Sequence, residues 1–382
     1  MRNLGSHRRG RGVTRWIGRV LLHLAWVSSA LLASAAAEAD APAAPAVEVG
    51  YDNGFYLQRN GGAQKLKIYG YMQALWTGDF DEAGMETNEF RVRRGRLLVA
   101  GTVVRDLTFK VQLDFVSSKP LQDCYMNYQP WEAFGLRAGQ FKTPLGRQFL
   151  VSASKKQFVD DNLATAAFKL DRDIGLMVHG AVEGGLFGYQ VGVFNGAGKN
   201  ALQDNLDLLY VARLEVAPFG PVPYAESDVA GTASPLLSLA VATGYNTVDV
   251  QPDPEGAAVT TSRYTVGGEV ALFWRGLYAA AEVFWRLDDP ASGENLAGLG
   301  GSLQAGYMVI PKHLELGARG AVVRGDMAVT GDDHWEAGPV INGFFLGHHL
   351  KLQLDYAALL DEDPLGPDDL AHRVRLQLQA AF

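Results

Sequence analysis

The sequence predicts an all-β chain, a transmembrane antiparallel β-barrel of about sixteen strands. Three observations lead there: apolar and polar residues alternate with a period of two along most of the chain, the alternating runs are long, and the connections between them alternate between long and tight. Composition agrees. At 48% apolar with a single cysteine, the 382-residue chain is neither disordered nor a disulfide scaffold, and a formal charge of −8 argues against nucleic acid as a partner.

The elements follow in order from the N-terminus. Six arginines between Arg2 and Arg19 precede an apolar stretch from Val20 to about Ala33, which ends in Ser34-Ala35-Ala36-Ala37. A basic segment, a short apolar segment and an A-x-A site together read as an export signal over residues 1–37, cleaved on maturation. Its removal takes six positive charges and moves the formal charge from −8 to −14. Residues 38–53, rich in alanine and proline at their start, read as a linker, and 54–382 as the barrel.

Within the barrel, Leu107, Phe109, Val111, Leu113 and Phe115 alternate with Thr108, Lys110, Gln112 and Asp114. The last run is as regular, with Val374, Leu376, Leu378, Ala380 and Phe382 against Arg373, Arg375, Gln377 and Gln379. Sixteen such runs lie near 66–76, 90–104, 107–116, 121–129, 134–142, 173–183, 187–195, 206–217, 236–245, 261–274, 277–286, 298–309, 313–323, 334–345, 348–358 and 371–382. Most have the length a tilted strand needs to cross a bilayer, where soluble strands average five or six residues. Long connections at 77–89, 143–172, 195–205, 246–260, 287–297, 324–333 and 359–370 alternate with tight ones such as Arg105-Asp106 and Arg275-Gly276. The connection 218–235 is long for the tight side. This asymmetry points to the bacterial outer membrane, with both termini on the periplasmic side. A soluble sandwich or propeller is the competing fold, but no repeat of 40–50 residues is present.

Arg91, Arg93, Arg94 and Arg96 fall on both faces of the second run. Because an arginine facing lipid at mid-membrane costs about 2–4 kcal/mol, a β-bulge at Arg94-Gly95 is expected. It would turn Phe90, Val92, Leu97 and Val99 to lipid and Arg91, Arg93 and Arg96 to the lumen. Lys110 lies on a polar face, and Lys155 and Lys156, with Arg147, Lys169 and Arg172, are candidates for a cationic funnel opposed by Asp160, Asp161, Asp171 and Asp173.

The segments G-F-Y-L-Q-R-N-G-G-A-Q-K-L-K-I-Y-G-Y-M-Q (54–73), F-R-V-R-R-G-R-L (90–97), F-K-V-Q-L-D-F (109–115), L-Q-D-C-Y-M-N-Y (121–128), G-Q-F-K-T-P-L-G (139–146), S-A-S-K (152–155), R-D-I-G-L-M (172–177) and G-V-F-N-G (192–196) resemble, in order and spacing, the phosphate-selective porin O and P family. The resemblance implies a sixteen-stranded, usually trimeric outer-membrane porin with an inward-folded third long loop, here 143–172. It also implies that Asp123 is the acidic member of an anion site. Phe149 and Asp160-Asp161, however, stand where the family's basic ligands are expected, which implies at most weak phosphate selectivity.

The resulting expectation is a passive channel for small hydrophilic solutes, with anions such as phosphate among the candidates. Its lumen residues would be Arg91, Arg93, Arg96, Lys110, Asp123, Arg147, Lys155 and Lys156. Lipid and lipopolysaccharide are the expected surroundings. The terminal Phe382 is the expected signal for the barrel-assembly machinery. Neither cofactor nor metal is expected. Two competing readings are a barrel enzyme of lipase or protease type and a non-conducting anchor or receptor. Ser152-Ala153-Ser154-Lys155 matches S-x-x-K, but no partner motif accompanies it, and the eight histidines, His348-His349 and His334 among them, form no catalytic grouping.

Overall fold

The computed structural model describes residues 47–203, 205–250, 258–329, 331–364 and 366–382. The expected signal segment and most of the expected linker lie outside them.

Two short strands come first, β1 (Glu48–Tyr51) and β2 (Phe55–Arg59), pairing as a hairpin within and just after the stretch expected as linker. Sixteen longer strands follow: β3 (Gln64–Asp81), β4 (Gly84–Val104), β5 (Leu107–Asp114), β6 (Leu121–Trp131), β7 (Phe134–Lys142), β8 (Arg172–Val182), β9 (Phe187–Phe194), β10 (Leu209–Val216), β11 (Leu236–Val250), β12 (Val259–Trp274), β13 (Leu277–Pro290), β14 (Leu296–Ile310), β15 (Leu314–Arg324), β16 (Asp333–Phe344), β17 (Leu350–Asp361) and β18 (Asp369–Ala381). Each pairs antiparallel with the next, and β18 returns to β3 through the register His372↔Phe80 to Ala381↔Tyr71. The ring is closed. Closure pairs the backbone of every wall strand on both edges, the condition for strands in lipid.

All sixteen expected runs correspond to these strands. Leu376, Leu378, Leu352, Leu354 and Ile341 are exposed on the outside, while Gln377, Gln379, Gln353, Asp355 and Asn342 are buried within. Exposed aromatics mark two girdles: Trp131, Phe134, Trp274, Phe345 and Phe382 near the tight turns, and Phe90, Tyr264, Trp285 and Trp335 toward the other rim. Phe382 closes the ladder, with its N–H donating to Gly70 O (3.0 Å) and its carbonyl accepting from Gly70 N–H (3.1 Å).

The structure corrects two expectations about strand β4. First, the connection expected at 77–89 is strand, because β3 runs to Asp81 and β4 begins at Gly84. Second, the bulge is not at Arg94-Gly95. The register passes from Gln73↔Arg94 to Ala74↔Val92, so Arg93 is the extra residue. Phe90 and Val92 do face outward, but the residue that moves inside is Arg94, which is only 7% exposed. Placing the bulge one residue earlier brings three consecutive basic positions (93, 94 and 96) to the inner face and leaves none in lipid.

Candidate functional site

The segment 143–171, between β7 and β8, carries two short helices, α1 (Arg147–Leu150) and α2 (Leu163–Phe168). Asn162 caps α2 by accepting from Thr165 N–H at 2.8 Å, a contact worth about 1 kcal/mol. Ala164 and Phe168 pack on Leu145, Ala242, Phe284, Ala321 and Val323, with the Phe168 and Phe284 rings stacked at 5.7 Å. Elsewhere the segment is held by inner-face polar groups. Gln148 N–H donates to Glu282 (3.2 Å), Leu163 N–H to Glu336 (2.8 Å) and Val159 N–H to Asp355 (3.0 Å). Asn342, Lys351 and Arg319 donate to the carbonyls of Gln157, Lys156 and Asp160 at 2.9, 2.8 and 2.9 Å. A loop backbone without its own ladder is thereby hydrogen-bonded, as buried backbone requires. The Gly306↔Gly317 pair makes room for it: a Cβ at Gly306 would lie 1.9 Å from Gln157 Nε2.

The long connection 217–235 meets this segment from the tight-turn side. Glu226 accepts from Gln157 N–H (3.0 Å) and Gln304 Nε2 (3.2 Å), and its own N–H donates to Lys155 O (3.0 Å). Ser227 Oγ donates to Glu315 at 2.8 Å. The two segments cover the inner faces of β13–β17, and open space lies against β4–β9.

That space comprises three adjoining cavities of about 390, 370 and 340 Å³, taken from the long-loop rim downward. Arg96 lines all three, and Lys142 and Arg172 line the middle and lower ones. Among the described residues, eleven cationic side chains and five carboxylates line them. The carboxylates are mostly outnumbered. Asp160 accepts from Arg94 (2.6 Å), Arg93 (2.8 Å) and Arg375 (3.3 Å), Asp161 from Lys156 and Lys169, and Asp123 from Arg172 (2.7 Å) and Lys110 (2.8 Å). Burial alone would raise the Asp160 and Asp161 pKa values, but the adjacent cations outweigh it and hold both carboxyls well below the usual range. Arg137 and Lys142 have no carboxylate partner among the described residues. Arg137 donates to Asn127 Oδ1 at 3.2 Å. Lys142 donates to the carbonyls of Phe149, Leu150 (3.3 Å) and Val151 (2.9 Å) at the C-terminal end of α1, where a helix leaves acceptors free.

Of the residues expected in the lumen, Arg93, Arg96, Lys110, Asp123 and Lys156 are brought together here, and Arg91 lies at the upper rim beside Glu89 (3.3 Å). Arg147 and Lys155 are not among them. Arg147, 2% exposed, donates to Pro223 O and lies 4.7 Å from the Tyr224 ring, so it ties the two segments together. Lys155 is exposed and lines none of the three cavities. Sequence reasoning missed Arg94, through the displaced bulge, and Lys142, which alternation counted from Arg137 assigns to the outer stripe.

Solved structures share this fold at low identity. The anion-selective porin of Comamonas acidovorans is 12% identical with a TM-score of 0.59, covering 84% of this chain and 100% of that one. The trimer form of OmpT from Vibrio cholerae is 12% identical with a TM-score of 0.58, covering 84% and 100%. The outer membrane channel DcaP of Acinetobacter baumannii is 13% identical with a TM-score of 0.57, covering 85% and 99%. No curated protein matches the chain by sequence. The family model for "Phosphate-selective porin O and P" matches residues 66–382, which takes in every wall strand from the third residue of β3 onward. The chain is therefore an outer-membrane β-barrel channel and belongs to the phosphate-selective porin O and P family.

Proposed function

We propose that this porin passes small hydrophilic anions by passive diffusion along the β4–β9 wall, with 143–171 as the inward-folded constriction. The excess of cationic over acidic side chains on the three cavities carries this reading, in a chain whose formal charge is −8. In a narrow pore, water screens poorly, so fixed charge sets which ion enters. The cationic excess overrides the weight that the sequence gives to Asp160 and Asp161. Both carboxylates sit among cations that outnumber them.

Tight phosphate selectivity is not part of the proposal. A desolvated phosphate needs several charge-assisted donors converging on it, and Arg93, Arg94, Lys156, Lys169, Lys110 and Arg172 are already engaged by carboxylates. Planar-bilayer recording under a potassium chloride gradient tests the reading: the reversal potential takes the sign of chloride preference, and millimolar phosphate leaves most of the chloride current. A potassium-preferring reversal potential overturns the anion reading, and saturable block at low phosphate overturns the second point.

Residues 1–37 are removed on export, the mature chain assembles as a homotrimer in a membrane of lipid and lipopolysaccharide, and Phe382 is read by the barrel-assembly machinery. Oligomer bands on unheated gels and the mature N-terminal sequence test the first two.

A further inference from the structure

We infer that the lower cavity is a subsite for organic anions that carry an aromatic or other apolar body, such as aryl phosphates, rather than for bare inorganic oxyanions. The inference rests on the anion preference proposed above and names the substrate class of that path. At about 340 Å³ the cavity falls in the range of small-molecule sites and far exceeds one five-atom oxyanion. Its lining joins two chemistries. Lys110, Arg137 and Arg172 supply positive charge, while Tyr125, Phe141 and Tyr224 supply ring surface.

Geometry brings the two together. The Arg137 guanidinium carbon lies 4.7 Å from the Tyr125 ring centroid and 5.5 Å from that of Phe141, and the two rings meet edge-on at 5.9 Å. Arg137 has no carboxylate partner among the described residues, so its charge is available to an incoming anion. A bare oxyanion gains nothing from ring faces, whose quadrupole is negative. An aryl body offset on the rings and stacked on the guanidinium plane gains dispersion and apolar burial, while its anionic head accepts from Arg137. The middle and upper cavities carry no such pair of rings.

Block of chloride current at pH 8 by phenyl phosphate, methyl phosphate and inorganic phosphate separates the two chemistries, because all three are then mainly dianions. In the full-length porin, phenyl phosphate is expected to half-block at about tenfold lower concentration than methyl phosphate. In Tyr125→Leu, the gap between phenyl and methyl phosphate is expected to narrow to about threefold. Phe141→Leu serves the same purpose should the first variant fail to fold. Equal block by phenyl and methyl phosphate in the wild type overturns the inference while leaving anion preference standing. A wild-type channel without chloride preference overturns both.

Discussion

Asp160→Asn should make the channel more anion-selective, although Asp160 anchors the constriction. Its carboxylate receives Arg94 at 2.6 Å, Arg93 at 2.8 Å and Arg375 at 3.3 Å, and it lines the middle cavity. Replacing it by an amide keeps the acceptor oxygen and removes one negative charge. A unit charge about 7 Å from a permeating ion contributes about 0.6 kcal/mol even in a water-like dielectric, the lower limit for a narrow pore. That is about a threefold gain in local anion concentration and a similar loss for cations, so the chloride-to-potassium permeability ratio should rise about sevenfold. The cost in stability should fall between the roughly 0–1 kcal/mol of an exposed pair and the roughly 3–5 kcal/mol of a broken buried one, because the Asp160 side chain is 25% exposed. Reversal potentials of purified wild type and variant in the same gradient measure the ratio. An unchanged or lower ratio would show that ions do not pass Asp160, and the β4–β9 path would have to be abandoned.

The same carboxylates predict an acid limit. Asp160 and Asp161 ionise more readily folded than unfolded, so their contribution is complete above the ordinary carboxylate pKa of about 3.8 and fades as pH falls below it. Protease resistance of 143–171 in detergent-folded protein should be flat from pH 8 to 5 and weaken below about pH 4; a decline already at pH 6 would assign the anchoring elsewhere. Arg147→Met should leave the reversal potential unchanged and increase current noise, since Arg147 holds 143–171 to 217–235 and lines none of the three cavities. A shift in selectivity would return Arg147 to the path. Gly306→Val should displace Gln157 and raise conductance without unfolding the barrel, because its Cβ would meet Gln157 Nε2 at 1.9 Å; unaltered conductance would mean the contact does not hold the constriction. Deleting Phe382 should lower outer-membrane yield, and an unchanged yield would remove its proposed role as assembly signal.

Strands were legible in the sequence because lipid and lumen demand opposite polarity at every second residue, which leaves a pattern such as Leu376/Leu378 against Gln377/Gln379. Bulges break that pattern locally, and the run of arginines at 91–96 carries no signal to say whether residue 93 or 94 is the extra one. Loop placement was less legible. Gln148, Gln157 and Lys156 are bonded to residues more than a hundred positions away, such as Glu315 and Lys351, and only the closed ring brings these within reach. The connection 218–235 stood out as too long for a tight turn, but nothing in its composition told that Glu226 would meet Gln157. Lys142 illustrates the remaining gap. At the end of β7 its side chain turns to the α1 carbonyls, a choice set by loop backbone and not by strand period.

The central claim is that solutes pass along the β4–β9 wall in a positive potential. Gln190, on the inner face of β9, lines the lower cavity, whereas Asn342 on β16 is fully buried beneath 143–171. Cysteines at these two positions, in a Cys124→Ser background, can be probed during single-channel recording with methanethiosulfonates that carry a sulfonate or an ammonium group. Modification at Gln190→Cys should reduce the current, with the sulfonate reagent reacting at least tenfold faster, and Asn342→Cys should not respond. Silence at Gln190→Cys, or faster reaction with the ammonium reagent, would contradict the account.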